Sequence, residues 1–242
     1  MRVTDSASAF FDQTFSVTIL PPTLSFANAQ RIAHVVDGGN YVTQFAIVNL
    51  EQFSTSFQFK FWGDSGNSLS IPIQNGVPGD LAGSLAPGAT AWAQTTGSSS
   101  PLLTGWAEVA STGRVGVLAI FKRVNSGRSD SEATVLSTQS GTNILLPFDN
   151  TQGASTGVAV ANSNPAQSTS VSLSFTSESG TVLTVGITLP AHGHMSFMLP
   201  SAYPFTAGTR GTLRVSGASP DISVLGLRFG PNDSFTSVGN FQ

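Results

Sequence analysis

Apolar and polar residues alternate with a period of two along most of this chain. Phe57, Phe59 and Phe61 are interleaved with Ser56, Gln58 and Lys60. Val171, Leu173 and Phe175 are interleaved with Ser170, Ser172 and Ser174, and Leu183, Val185 and Ile187 with Thr184 and Gly186. That period puts one face of a β-strand on a core and the other in water. No stretch as long as a typical helix keeps a helical period free of Gly, Pro or β-branched clusters. Turn-forming groups such as Asp37-Gly38-Gly39-Asn40, Ser65-Gly66-Asn67, Pro87-Gly88, Ser163-Asn164-Pro165 and Gly230-Pro231-Asn232-Asp233 recur about every 8–12 residues, the spacing of a sandwich or barrel.

The pattern occurs twice. Ala46-Ile47-Val48-Asn49 answers Ala159-Val160-Ala161-Asn162, and Phe61-Trp62-Gly63-Asp64-Ser65-Gly66 answers Phe175-Thr176-Ser177-Glu178-Ser179-Gly180. Leu69, Ile71 and Ile73 answer Leu183, Val185 and Ile187; Pro87-Gly88 and Trp92 answer His192-Gly193 and Phe197; Val115–Ile120 answers Ile222–Leu227. Each half therefore predicts a set of eight strands. They fall near residues 29–35, 41–49, 56–62, 68–73, 81–85, 89–95, 104–110 and 115–123, and near 142–148, 156–162, 169–176, 181–188, 194–199, 211–216, 222–229 and 235–239. The expected fold is all-β: two homologous antiparallel sandwiches in tandem, at 25–137 and 141–242, joined by the small polar linker around Ser137-Thr138-Gln139-Ser140-Gly141. A linker this short keeps the halves in contact. Residues 1–24 stand outside the repeat and read as strand, turn and strand (2–8, then 13–19), followed by the stiff spacer Pro21-Pro22.

Composition narrows the function. Charged residues are 10% of the chain, against a usual value of about 25%. The net charge is −3, and the only lysines are Lys60 and Lys122, so there is no basic patch for nucleic acid. Cysteine is absent, which removes disulfides, thiol catalysis and zinc–thiolate sites. No apolar run reaches the roughly 18 residues that span a membrane. The Ser/Thr-rich, lysine-poor surface leans towards an extracellular or cell-surface setting.

Candidate chemistry is thin. Gly63-Asp64-Ser65-Gly66 and Ala33-His34 are similar to the nucleophile and histidine loops of chymotrypsin-like proteases. Only about 30 residues separate His34 from Ser65, too few to complete one barrel and enter the next. The second copy keeps Glu178-Ser179-Gly180 in the same place, which favours a hairpin turn needing a small polar residue and a glycine. His192-Gly193-His194 is expected as a pair of exposed turn histidines, without a third metal ligand. Asp37 and Asp149 lie in loops of oxygen-bearing residues and are the candidates for Ca²⁺, an ion that takes about six to eight oxygens; the same residues also cap turns. No other cofactor is expected. Trp62, Trp106 and Tyr41 are the candidate stacking surface for a sugar. By strand parity Trp62 points away from Phe57, Phe59 and Phe61, towards solvent or towards a contact between the halves.

The run Arg2-Val3-Thr4-Asp5-Ser6 with Phe15-Ser16-Val17-Thr18-Ile19 resembles the last two strands of the immunoglobulin-like, cadherin-like domains of bacterial surface proteins. The resemblance implies a truncated domain and a natural start upstream of Met1. The second half, through Leu146-Pro147-Phe148-Asp149-Asn150, Ala207-Gly208-Thr209-Arg210-Gly211-Thr212 and Ile222–Phe229, resembles a tandem β-sandwich unit from the C-terminal ends of large secreted bacterial proteins. Ile32–Gly39 and Thr104–Val109 carry the same resemblance in the first half. It implies a modular surface role and supplies no catalytic residues. The expected function is a non-catalytic spacer or adhesion module whose partners are neighbouring domains of the same polypeptide and a surface polymer or glycan. The alternative is a carbohydrate-binding module using an exposed Trp.

Overall fold

The alternating segments become strands with one face inward. In β5 (Thr55–Gly63), Thr55, Phe57, Phe59 and Phe61 are buried and the residues between them are not. The computed structural model describes residues 2–4, 10–12, 25–138 and 140–241. At the N-terminus β1 (Arg2–Thr4) pairs antiparallel with β2 (Phe10–Asp12). The predicted second strand at 13–19 lies outside the described residues.

The first sandwich is built from β3 (Asn28–Asp37), β4 (Tyr41–Asn49), β5, β6 (Leu81–Leu85), β7 (Thr90–Gln94), β8 (Leu103–Ser111), β9 (Val115–Arg123) and β10 (Ser131–Leu136). The second uses β11 (Asn143–Asp149), β12 (Ser155–Asn162), β13 (Thr169–Ser177), β14 (Val182–Leu189), β15 (His194–Met198), β16 (Arg210–Gly217), β17 (Ile222–Phe229) and β18 (Phe235–Val238). A single helical turn, α1 (Leu199–Ala202), follows β15. Strand order is β3-β8-β5-β6 facing β10-β9-β4-β7, and then β11-β16-β13-β14 facing β18-β17-β12-β15. Raising every label by eight converts one sandwich into the other, and every named pairing is antiparallel.

Local details repeat as well. Gly66 N–H donates to Gly63 O at 2.9 Å, and Gly180 N–H to Ser177 O at 2.9 Å; both glycines sit at φ +81°, a region other residues enter at a cost. The acid-Ser-Gly stretches are therefore hairpin turns. Buried Asn49 donates from Nδ2 to the carbonyls of Phe53, Leu85 and Ala86, while Asn162 does the same to Gln167 and Pro190. Buried Thr43 and Thr156 each tie two strands of a hairpin through one hydroxyl. These polar pairs recur because buried carbonyls and amides at loop ends need partners that the ladders do not supply.

The strand prediction needs two corrections. Residues 68–73 form no strand: the partner of β5 on the side away from β8 is β6, so 81–85, rather than 68–73, is the counterpart of β14. Pro72 has no N–H to give a ladder, and the segment folds onto itself through Ile71 N–H to Leu69 O and Gly79 N–H to Ile71 O. Ile71 and Ile73 are buried all the same, so the alternation marks a loop that plugs the core. The second correction adds a strand, β10, whose inward residues Ala133 and Val135 are small and whose Leu136 is exposed, a weak signal in the sequence.

The sandwiches meet through an apolar seam. Along β12 and β17 nearly every residue is buried, on both faces. Val158, Val160, Ile222 and Val224 belong to the core of the second sandwich. Ala159, Leu225 and Leu227, on the opposite face, join Phe235 in the core of the first. They reach it at its open side, where edge strand β3 packs on β12 and β17, and edge strand β10 packs on β18.

Gly66 and Gly180 separate turn strain from docking strain. A Cβ on Gly180 meets nothing within 4 Å, whereas one on Gly66 falls 1.9 Å from the carbonyl oxygen of Ala191 in the second sandwich. Gly180→Ala should therefore cost about 1–2 kcal/mol, the price of left-handed backbone alone. Gly66→Ala should cost at least about twice as much, because the turn must also withdraw from the seam. Calorimetric Tm values of the two variants check this difference.

Candidate functional site at the junction of the sandwiches

Three segments that are far apart in the sequence converge at the seam: the turn after β5, the turn before β15, and the middle of β3. The turn before β15 runs Pro190-Ala191-His192-Gly193, closed by Gly193 N–H to Pro190 O at 2.9 Å. The same turn in the first sandwich is closed by Ala89 N–H to Ala86 O, which pairs His192 with Gly88, one residue on from the Pro87 that the sequence pattern matched to it. Both are left-handed, at φ +52° and +68°. His192 holds this unfavourable backbone while its ring lies flat on Trp62, centroids 3.8 Å apart and planes within 3°. Trp106 Nε1–H donates to His192 O at 2.7 Å. The indole nitrogen of Trp62 and Nδ1 of His192 are buried without a hydrogen-bond partner. Burial holds the His192 imidazole below its usual pKa, Glu108 opposing and Lys60 reinforcing that shift.

His194 follows on β15 and has a fully buried side chain. Its backbone N–H donates to Asp64 O at 3.2 Å, and its Nδ1 lies 2.7 Å from Asp64 Oδ1. Its Nε2 lies 3.1 Å from Nδ1 of His34, the rings stacked at 5.2 Å. His34 projects from β3 beside the bulge between Ile32 and Val35, and its ring sits 5.7 Å from Phe121. Asp64, His194 and His34 thus form a line from solvent to interior, with the Asp64 side chain 62% exposed at the outer end. Burial lowers the pKa of His34 from 6.5 to about 3, and the neighbouring His194 adds to the shift. With one proton on each ring, a carboxylate that only accepts places the His194 proton on Nδ1 and lets its Nε2 accept from His34 Nδ1–H. Nε2 of His34 is left as a bare acceptor. In a Ser–His–Asp arrangement a hydroxyl nucleophile occupies the place that His34 takes here.

Beyond His34 lies a cavity of about 360 Å³ between the two sandwiches. Val36, Tyr41 and Phe121 of the first sandwich and Leu225, Phe229 and Phe235 of the second contribute to its wall. Tyr41, a candidate ligand residue, is placed here, 6.2 Å from Phe235 and beneath the guanidinium of Arg123.

The other candidate residues are dispersed. Trp106 is fully buried, and Trp62 is stacked under His192. His192 and His194, expected as exposed turn residues, are half-buried and buried, because the turn that carries them docks on the first sandwich. Asp37 is buried and accepts from the backbone N–H groups of Gly97 and Ser99 and from the Ser99 hydroxyl. Asp149 accepts from Thr151, Arg210 and Arg228, which hold its carboxyl well below the usual range. Counting along the paired hairpins aligns Asp149 with Val36, and Asp37 with Asn150, so the two acids are not equivalent positions. Among the described residues no three His, Cys, Asp or Glu side chains are placed to hold a metal ion. In Asp64–His194–His34 both nitrogens of His194 and Nδ1 of His34 face their neighbours in the line, with no shared point for a metal.

No protein-family model matches the chain, and no curated protein matches it. Among the described residues no helix is long and apolar enough to cross a membrane.

Sequence reading missed the convergence because it treated each histidine within its own half. The signal was present as a departure from the repeat. All three histidines of the chain fall where the other copy has something else, and all three sit at the seam. Residues that break a duplicated pattern are candidates for contacts between the copies.

The pH dependence of stability follows from His34. Its imidazole stays neutral in the fold but takes a proton near pH 6.5 once unfolded. Stability is therefore complete above about 6.5 and is lost progressively as the pH falls towards 3. Between pH 7 and 5.5, above the carboxylate range, Tm should fall by about 2–4 °C. His34→Gln should flatten that slope. An unchanged slope in the variant would assign the dependence elsewhere.

Proposed function

We propose that the chain is a non-catalytic structural module of a larger extracellular protein, a rigid spacer or adhesion element stacked against neighbouring β-sandwich domains of the same polypeptide. The observation that carries this reading is the seam. Ala159 and Leu225, directly paired on β12 and β17, seat the outer face of one sheet on the open side of the preceding sandwich. Their counterparts in the first sandwich, Ala46 and Leu118, are paired in the same register on β4 and β9. Leu136 and Trp92 extend that row across all four strands, and they are 73% and 65% exposed. The first sandwich thus offers to a preceding neighbour the face that its twin uses for docking. A neighbour seated there continues the array with the same geometry: Ala46 is buried and Leu118 half-buried, but the two ends of the row are large exposed apolar side chains, and exposed apolar surface marks interaction sites. The cysteine-free, Ser/Thr-rich, weakly charged composition supports the extracellular setting. A carbohydrate-binding role needs an indole face open to a sugar; Trp106 is buried and Trp62 is covered on one face by His192, which leaves the exposed Trp92 as the indole available to that alternative.

A rigid spacer should unfold as one unit. Calorimetry of the intact chain should show a single transition with matching calorimetric and van't Hoff enthalpies. Leu225→Asp, which buries a charge in the seam, should split it into two transitions or lower Tm by about 6 °C or more. Two independent transitions in the unmodified chain would reject the spacer reading.

A further inference from the structure

We propose that the cavity between the sandwiches is a binding site for a compact apolar molecule carrying one hydroxyl group, a phenol or a small cyclic alcohol, whose hydroxyl donates to Nε2 of His34. Size comes first. About 150 Å³ of apolar cavity suffices for benzene, so 360 Å³ accommodates two fused rings. The wall is aromatic and aliphatic, as small-molecule pockets are, with few polar groups to fix orientation.

The second argument is the direction of the hydrogen bonds. With one proton on each ring, the line from Asp64 through His194 places the proton of His34 on Nδ1 and leaves Nε2 a lone pair with no protein partner among the described residues. A neutral imidazole nitrogen that carries no hydrogen is a strong acceptor, and a ligand hydroxyl is the donor that matches it. The pocket selects for a donor for the same reason that a site built to hydrogen-bond a hydroxyl rejects the analogue without it. Burial keeps His34 neutral well below neutral pH, so the acceptor persists across the physiological range. The third argument is access. Ser196, on the rim, is exposed, so the cavity wall reaches the surface.

Isothermal titration of the full chain near neutral pH with three matched probes tests the site. 2-Naphthol donates, 2-methoxynaphthalene only accepts, and naphthalene does neither. 2-Naphthol should bind saturably and about tenfold more tightly than the other two. His34→Phe, which keeps an aromatic ring and removes the acceptor, should erase that preference while naphthalene binding persists. Ser196→Trp, a change at an exposed position, should block all three probes with Tm unchanged. If His34→Phe does not fold, the ranking of probes together with Ser196→Trp decides the matter. The proposal is overturned by no saturable binding of 2-naphthol up to its solubility limit. Equal affinity for the three probes, preference for the methoxy compound, or binding that survives Ser196→Trp would overturn it equally.

Discussion

The structure depends on one contact, the apolar outer face of β12 and β17 laid against the open side of the first sandwich. A two-sheet sandwich has edges where its core meets water, and those edges also carry unpaired backbone groups. Here Ala159, Leu225, Leu227 and Phe235 close one such opening from outside. Burying apolar side chains like these contributes about 1.5–3 kcal/mol each, comparable as a group to the whole net stability of an ordinary domain. The first sandwich is complete only with the second in place.

Everything chemically distinctive follows from that contact. The turn carrying His192 and His194 exists in both copies, but only in the second does it meet another domain. There the backbone of Gly66 approaches closely, Trp62 stacks on His192, and Asp64 orients His194. The polar line is satisfied up to its last atom, and His34, the residue that carries it, lines the cavity. Ion pairs reinforce the joint from outside: Asp233 of the second sandwich bridges Arg123 and Arg128 of the first, which lowers its carboxyl pKa. Such half-exposed pairs are worth little individually, so they set register more than they hold the halves together.

Duplication explains why one face has two fates. Ala46 and Leu118 pair as Ala159 and Leu225 do, yet their row is open at Leu136 and Trp92. The scaffold repeats, and the contacts it makes differ because each copy has a different neighbour.

The sequence by itself determined the strand content, the two-fold repeat and most turns, since period-two burial and left-handed glycines are local properties. It read residues 68–73 as a strand because two buried isoleucines in a loop look the same as two in a ladder. It placed Trp62 on the outward face but left open whether solvent or the other half lay there. Tertiary structure decided that question, along with the burial of His194, its hydrogen bonds to Asp64 and His34, and the cavity. Parity along a strand says which face a residue takes, but what covers that face depends on packing between segments more than a hundred residues apart, as with His34 and His194.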